Sequence, residues 1–181
     1  MDTMKKRILT LALALVTMLG LTACGLEQTT EGRLNDTMKT YFFDFTIHSA
    51  SLASEYNGYT PQEGNTLLVA EITIKNTFRE SIEMYDTDFQ AQWGDDAEDA
   101  YSIPITTDPE TYTELPTVGA NQLPGTYTLA VDEERSGELV YEVPSGHQDF
   151  SISYLEIFDD GTEEGDVGDP YFVFFTAENQ I

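Results

Sequence analysis

The chain has 181 residues with 8 basic and 33 acidic side chains, a formal net charge of −25 and a single cysteine. That length fits one domain with a real core, and the lone cysteine excludes a disulfide within the chain. The charge argues against nucleic acid as a partner, because that binding rests on Lys and Arg neutralising phosphates, and against direct adsorption to anionic lipid for the same reason.

The first segment reads as an address. Lys5, Lys6 and Arg7 precede an apolar run from Ile8 to Leu21, and Leu21-Thr22-Ala23 leads directly into Cys24. A basic flank, a short apolar core and small residues before a cut describe an export signal. A membrane-spanning helix needs roughly 20 predominantly apolar residues, and this run is shorter and interrupted by Thr10, Thr17 and Gly20. Cysteine directly after Leu-Thr-Ala resembles the lipobox of bacterial lipoproteins. The resemblance implies that residues 1–23 are removed and that Cys24 carries a diacylglyceryl group as the new N-terminus. Cleavage would take away Lys5, Lys6, Arg7 and Asp2, leaving 5 basic and 32 acidic residues, a net of −27. Two acyl chains anchor stably where one does not, so the lipid would hold the protein at the membrane against its charge.

Residues 25–35 are polar and unpatterned, so 24–35 is expected to be a lipid-anchored tether and 36–178 the folded domain. In 41–49, Tyr41, Phe43, Phe45 and Ile47 alternate with Phe42, Asp44, Thr46 and His48, the period-two pattern of a half-buried strand. Turn signals at Asn57-Gly58 and Glu63-Gly64-Asn65 lead to a second alternation, Leu68, Ala70, Ile72 and Ile74. Short strands are expected at Ile82–Met84 and along Phe89, Ala91 and Trp93, with an acidic turn at 94–100 and an edge strand at 101–105, where Pro104 cannot donate to a ladder. Residues 106–124 hold three prolines and read as a long loop. Strands follow at 127–131, then, after a turn at 132–137, along Leu139, Tyr141 and Val143, and at 151–158, where a change of apolar parity near Tyr154-Leu155 predicts a bulge. Residues 159–170 read as an acidic hairpin loop. The run 171–175 reads as a central strand buried on both faces.

Seven to nine short strands with almost no helical periodicity predict an all-β, immunoglobulin-like antiparallel β-sandwich without a core disulfide. Tyr41-Phe42-Phe43-Asp44-Phe45-Thr46, Gly64-Asn65-Thr66-Leu67-Leu68-Val69 with Ile72-Thr73-Ile74-Lys75-Asn76, and Gly137-Glu138-Leu139-Val140-Tyr141-Glu142-Val143-Pro144 carry a further likeness. Together they resemble the telokin-like, immunoglobulin-fold domain of unknown function found in secreted lipoproteins, mainly of Gram-positive bacteria. The resemblance implies an extracytoplasmic sandwich and brings no catalytic residues.

Chemistry has few footholds. The two histidines fall on the polar face of one strand (His48) and in a turn (His147), and no Gly-x-Ser-x-Gly elbow is present. A carboxylate pair for envelope polysaccharide hydrolysis cannot be chosen among 32 acids. The sharpest candidate is a calcium site on the acidic loop, with Asp159, Asp160, Glu163, Glu164 and Asp166 as oxygen ligands; the bland alternative is a solvated hairpin. Asp95, Asp96, Glu98 and Asp99 form a second acidic turn. The favoured expectation is a non-enzymatic, membrane-anchored module that needs no cofactor beyond the lipid on Cys24. It would bind an unidentified envelope or extracellular protein on the outer face of the cell membrane. A divalent-cation-binding surface protein is the alternative, and a carboxylate-dependent envelope hydrolase the second.

Overall fold

The computed structural model describes residues 29–94, 100–158 and 166–179. The leader, Cys24, the turn acids Asp95, Asp96, Glu98 and Asp99, and four of the five loop acids (Asp159, Asp160, Glu163 and Glu164) lie outside them.

The described residues form twelve strands: β1 (Glu31–Arg33), β2 (Thr37–Lys39), β3 (Phe43–Ala53), β4 (Asn65–Asn76), β5 (Ile82–Tyr85), β6 (Phe89–Trp93), β7 (Tyr101–Ser102), β8 (Thr126–Leu129), β9 (Glu134–Pro144), β10 (Asp149–Phe158), β11 (Asp166–Thr176) and β12 (Glu178–Asn179). One 3-10 turn, Asp86–Asp88, joins β5 to β6. One sheet has the order β1-β11-β10-β6-β7; the other runs β12-β3-β4-β9, with β2 also on the outer edge of β3; β5 and β8 form a separate ribbon. The fold is an all-β sandwich, and its long strands pair antiparallel. The two terminal strands do not: β1 runs parallel to β11 and β12 parallel to β3.

The alternations place the core as expected, except that Tyr41 precedes β3 and is exposed. Phe43, Phe45 and Ile47 of β3 and Ile72 and Ile74 of β4 turn inward and are almost wholly buried, facing Phe89, Ile152 and Tyr154 of the other sheet. The rings interlock, with Phe43 4.8 Å from Tyr154 and Phe45 5.3 Å from Phe89 between centroids, within the range where edge and offset contacts add to area burial. The predicted bulge in β10 falls between Leu155 and Ile157. A second, unpredicted one in β3, between Ile47 and Ser49, lets Ile47 and Ala50 both point inward.

Three expectations need correction. The first concerns the tether: β1 lies within it. Glu31-Gly32-Arg33 has no apolar pattern because main-chain pairing holds it, with the Phe172 N–H donating to the Thr30 carbonyl at 2.8 Å. A Cβ at Gly32 would lie 2.6 Å from Met38 Sδ, so a larger residue there would have to displace the buried Met38 side chain. The second concerns β11, which extends back to Asp166, so 166–170 belongs to a strand and not to a loop. It is also buried on one face only. Tyr171, Val173 and Phe175 enter the core, while Phe172 and Phe174 lie half-buried on the outer face. Thirdly, β9 starts at Glu134, and the turn before it is 130–133.

The loop 106–124 is rooted more firmly than its prolines suggest. Thr106 and Thr107 are buried, and both hydroxyls donate to the buried carboxylate of Asp86, Thr107 at 2.9 Å. Residues 109–118 are exposed. A small second cluster forms on the outer side of β4, where Leu67, Val69, Ala53 and Val140 are covered by Tyr56, Tyr59 and Ile105.

Candidate functional site

An open groove of about 900 Å³ lies at one end of the five-stranded sheet. Strand register builds it. Arg33 of β1, Phe174 of β11, Ser151 of β10 and Gln92 of β6 are paired in one row across four strands. By alternation they share the outer face. The rings of Phe172 and Phe174 stack with centroids 5.9 Å apart and 20° between planes. The Arg33 guanidinium lies over Phe174 at 5.2 Å from the ring centroid, a cation–π geometry. At the lip, Trp93 stands 6.3 Å from the His147 ring, and Asp149 Oδ1 accepts from the Thr176 hydroxyl at 2.6 Å.

This floor combines stacked rings, one cation, an amide and hydroxyls. Such a surface can hold a ligand by apolar contact and fix it with a few directional hydrogen bonds. It has no paired base and nucleophile. His147 is exposed at the rim, and His48 lies on the other sheet with its Nε2 2.8 Å from Thr73 Oγ1. Thr73 in turn meets Ser136 Oγ at 2.8 Å. The partner of His48 is a hydroxyl, not the carboxylate that orients a catalytic imidazole.

The acids do more than solvate. Glu142 accepts from Tyr59 Oη at 3.0 Å, from the Gln62 N–H at 2.8 Å and from Asn65 Nδ2 at 2.8 Å, and Glu138 accepts from Tyr56 Oη at 2.5 Å. These bonds fasten the 56–59 hairpin to β9. Burial raises the carboxyl pKa of Asp86 against the hydroxyls that donate to it. Burial likewise pushes Asp88 from 3.8 up to about 6, although the Tyr85 N–H bonds its carboxylate. Of the acids proposed for calcium, Asp166 alone is described. It is exposed at the start of β11, opposite Phe158. Among the described residues, no group of three or more His, Cys, Asp or Glu is placed to hold a metal ion.

Residues 32–164 match the family described as Domain of unknown function (DUF4352). The chain belongs to that family. The DUF4352 match opens at Gly32, inside β1, in agreement with the early start of the folded unit. No curated protein matches the chain. Among solved structures, the yjhA protein of Bacillus subtilis aligns at 19% identity and TM-score 0.53, over 82% of this chain and 99% of its own. The ycdA protein of Bacillus subtilis, described as a candidate lipoprotein, aligns at 18% identity and TM-score 0.51, over 78% of this chain. This chain spans only 38% of the length of ycdA. An uncharacterised β-sandwich protein of Clostridium difficile aligns at 15% identity and TM-score 0.45, over 81% of this chain and 94% of its own. At 18% and 19% identity the likeness to the two Bacillus subtilis proteins shows the fold and nothing about activity.

Sequence reasoning missed most of this groove. Arg33 was assigned to the tether, and Phe172 and Phe174 to a strand buried on both faces. The available signal was the sheet edge: a run of five apolar residues in a one-sided sheet must place its alternate members outside.

Proposed function

We propose that this DUF4352 protein is a lipoprotein held on the outer face of the cell membrane, of Gram-positive type, and that it is a non-enzymatic binding module. The observation that carries the reading is Leu21-Thr22-Ala23-Cys24 behind a basic and apolar leader, followed within a few residues by the sandwich. The candidate-lipoprotein description of ycdA agrees with it. The ligand-facing surface is the groove floored by Phe172, Phe174 and Arg33, and its occupant is a segment of an envelope or extracellular protein. An extended segment can lie across stacked rings while Gln92 and Arg33 meet its main chain.

In-cell photo-crosslinking tests this reading. A photo-reactive side chain replaces Gln92 in the groove and, in a second strain, Thr128 on the exposed face of β8. The expected result is a discrete adduct at position 92 that is absent at 128 and lost with Phe174→Ala. The same adducts from both positions, or none from position 92, would remove the groove from consideration.

A further inference from the structure

We infer that the end of the sandwich opposite the groove is a second membrane contact, an aromatic foot that inserts into the headgroup region of the bilayer to which Cys24 is anchored. The inference rests on the lipoprotein reading.

Topology identifies the two ends. β1 runs parallel to β11, so the chain before Glu31 approaches from the side where β11 begins and β10 ends. Phe158 and Asp166 mark that side, and Phe150 and Phe175 mark the other. Eight residues along β10 separate Phe150 from Phe158, roughly 26 Å of strand. The groove with Trp93 is therefore distal to the point where the N-terminal segment joins the fold. From Cys24 to Thr29 the chain can span at most about 18 Å. A lipid on Cys24 keeps the near end close to the bilayer.

That near end is aromatic. Tyr41 touches Phe42, Phe78 and Phe158 with centroids 5.0, 5.7 and 5.3 Å away, and Phe42 meets Phe78 at 5.3 Å. Tyr41 is 60% exposed, as are Ile157 at 55% and Val167 at 68%. Beside them Phe42, Ile82, Leu155 and Ile157 line a hollow of about 320 Å³, with Glu83 and Asp88 also on its wall. Phe42, Phe78 and Phe158 are half-buried beneath Tyr41, and the exposed apolar side chains of Tyr41, Ile157 and Val167 together mark a contact surface, with tyrosine suited to the boundary between headgroups and acyl chains.

Charge sets the character of the contact. Three of the five basic residues of the chain after Cys24, namely Lys39, Lys75 and Arg79, stand on this end, with Arg79 over the Phe78 ring at 5.7 Å. Asp44, Glu80, Glu134, Glu156, Asp166 and Asp169 stand there too, so acids outnumber bases at this end. The contact is thus apolar insertion and not electrostatic adsorption. The tether makes a weak contact sufficient, because docking becomes intramolecular once the lipid is in place.

Tryptophan quenching tests it. The lipidated chain is reconstituted in phosphatidylcholine–phosphatidylglycerol vesicles whose acyl chains are partly brominated. The unsubstituted chain reports from Trp93 at the far end, and the Tyr41→Trp, Trp93→Phe variant reports from the near end. The expected result is quenched, blue-shifted emission from the variant and no quenching of Trp93. Adding Ile157→Asp at an exposed position should abolish the quenching without changing the unfolding temperature. Equal quenching of both reporters, no quenching of either, or a dimer formed through Tyr41 in solution would overturn the inference. If the chain is not lipidated in cells it will not enter vesicles, which refutes the lipoprotein reading alone. Coupling Cys24, the only cysteine, to a maleimide lipid then restores the geometry and tests the foot by itself.

Discussion

The two ends of the sandwich are built from the same aromatic residues put to different use. At the groove end the rings of Phe172 and Phe174 lie flat in a sheet face and are spaced by strand register, with Arg33 over one of them. At the other end Tyr41, Phe42, Phe78 and Phe158 come from three separate segments and meet edge-on or tilted at the mouth of the core. A face set by register keeps its shape when it is empty. A cluster gathered from loops and strand ends keeps its shape only while those loops are pinned.

Asn76 is the pin, and replacing it should give the largest effect. Its side chain is fully buried. Nδ2 faces the carbonyls of Glu80, Leu129 and Ala130 at 2.9, 3.1 and 3.0 Å, and Oδ1 accepts from the Phe78 N–H at 2.8 Å. Asn76→Ala leaves several buried polar groups unpaired and should cost about 3 kcal/mol, read as a lower midpoint in urea. Hydrogen exchange should rise first at 77–81 and 130–133 and leave the groove protected. Uniform loss of protection at both ends would break the contrast.

The next effect is pH dependence. Burial raises the Asp88 carboxyl from 3.8 to about 6 and moves Asp86 the same way. Between those values the folded chain holds more protons than the unfolded one. Stability is therefore greatest below the window and falls as pH rises through about 6. Asp88 contributes a loss of about 2 kcal/mol from pH 4 to 7.5. Asp88→Asn should flatten that part of the profile in thermal unfolding. An unchanged slope would assign the dependence to overall charge repulsion.

Smaller effects separate surface use from stability. Arg33→Ala removes the cation above Phe174 and should lower stability by roughly 0.5 kcal/mol, while abolishing the adduct expected at Gln92. Tyr41→Ser, at an exposed position, should change stability by less than about 0.5 kcal/mol and leave groove crosslinking intact. If Tyr41→Ser reduced the groove adduct as much as Arg33→Ala, the two ends would not be independent.

Most of the scaffold was legible because a half-buried strand writes period two into its side chains. Phe43, Phe45 and Ile47, then Ile72 and Ile74, then Leu139, Tyr141 and Val143 all face inward as that pattern requires. The change of parity at Leu155 correctly foretold the bulge in β10. The failures share a cause: they depend on which strands become neighbours. Glu31-Gly32-Arg33 is held by backbone pairing to β11, which leaves no mark on side-chain pattern. Phe172 and Phe174 look like core until β10 and β1 flank them and one face stays open. Tyr41, Phe78 and Phe158 are far apart in sequence and meet only once β3, β4 and β10 end together. The acids were read as solvation, yet Glu142, Glu138 and Asp86 act as specific acceptors whose donors lie 20 to 83 residues away.

The proposed polarity of the molecule, with one end toward the bilayer and the groove away from it, depends on Cys24. Intact mass of the protein extracted from membranes tests it most directly. The expected result is a chain beginning at Cys24 with a diacylglyceryl group attached, and a Cys24→Ala chain that keeps residues 1–23 and lacks the lipid. A soluble chain cut elsewhere, with a free Cys24 thiol, would contradict it.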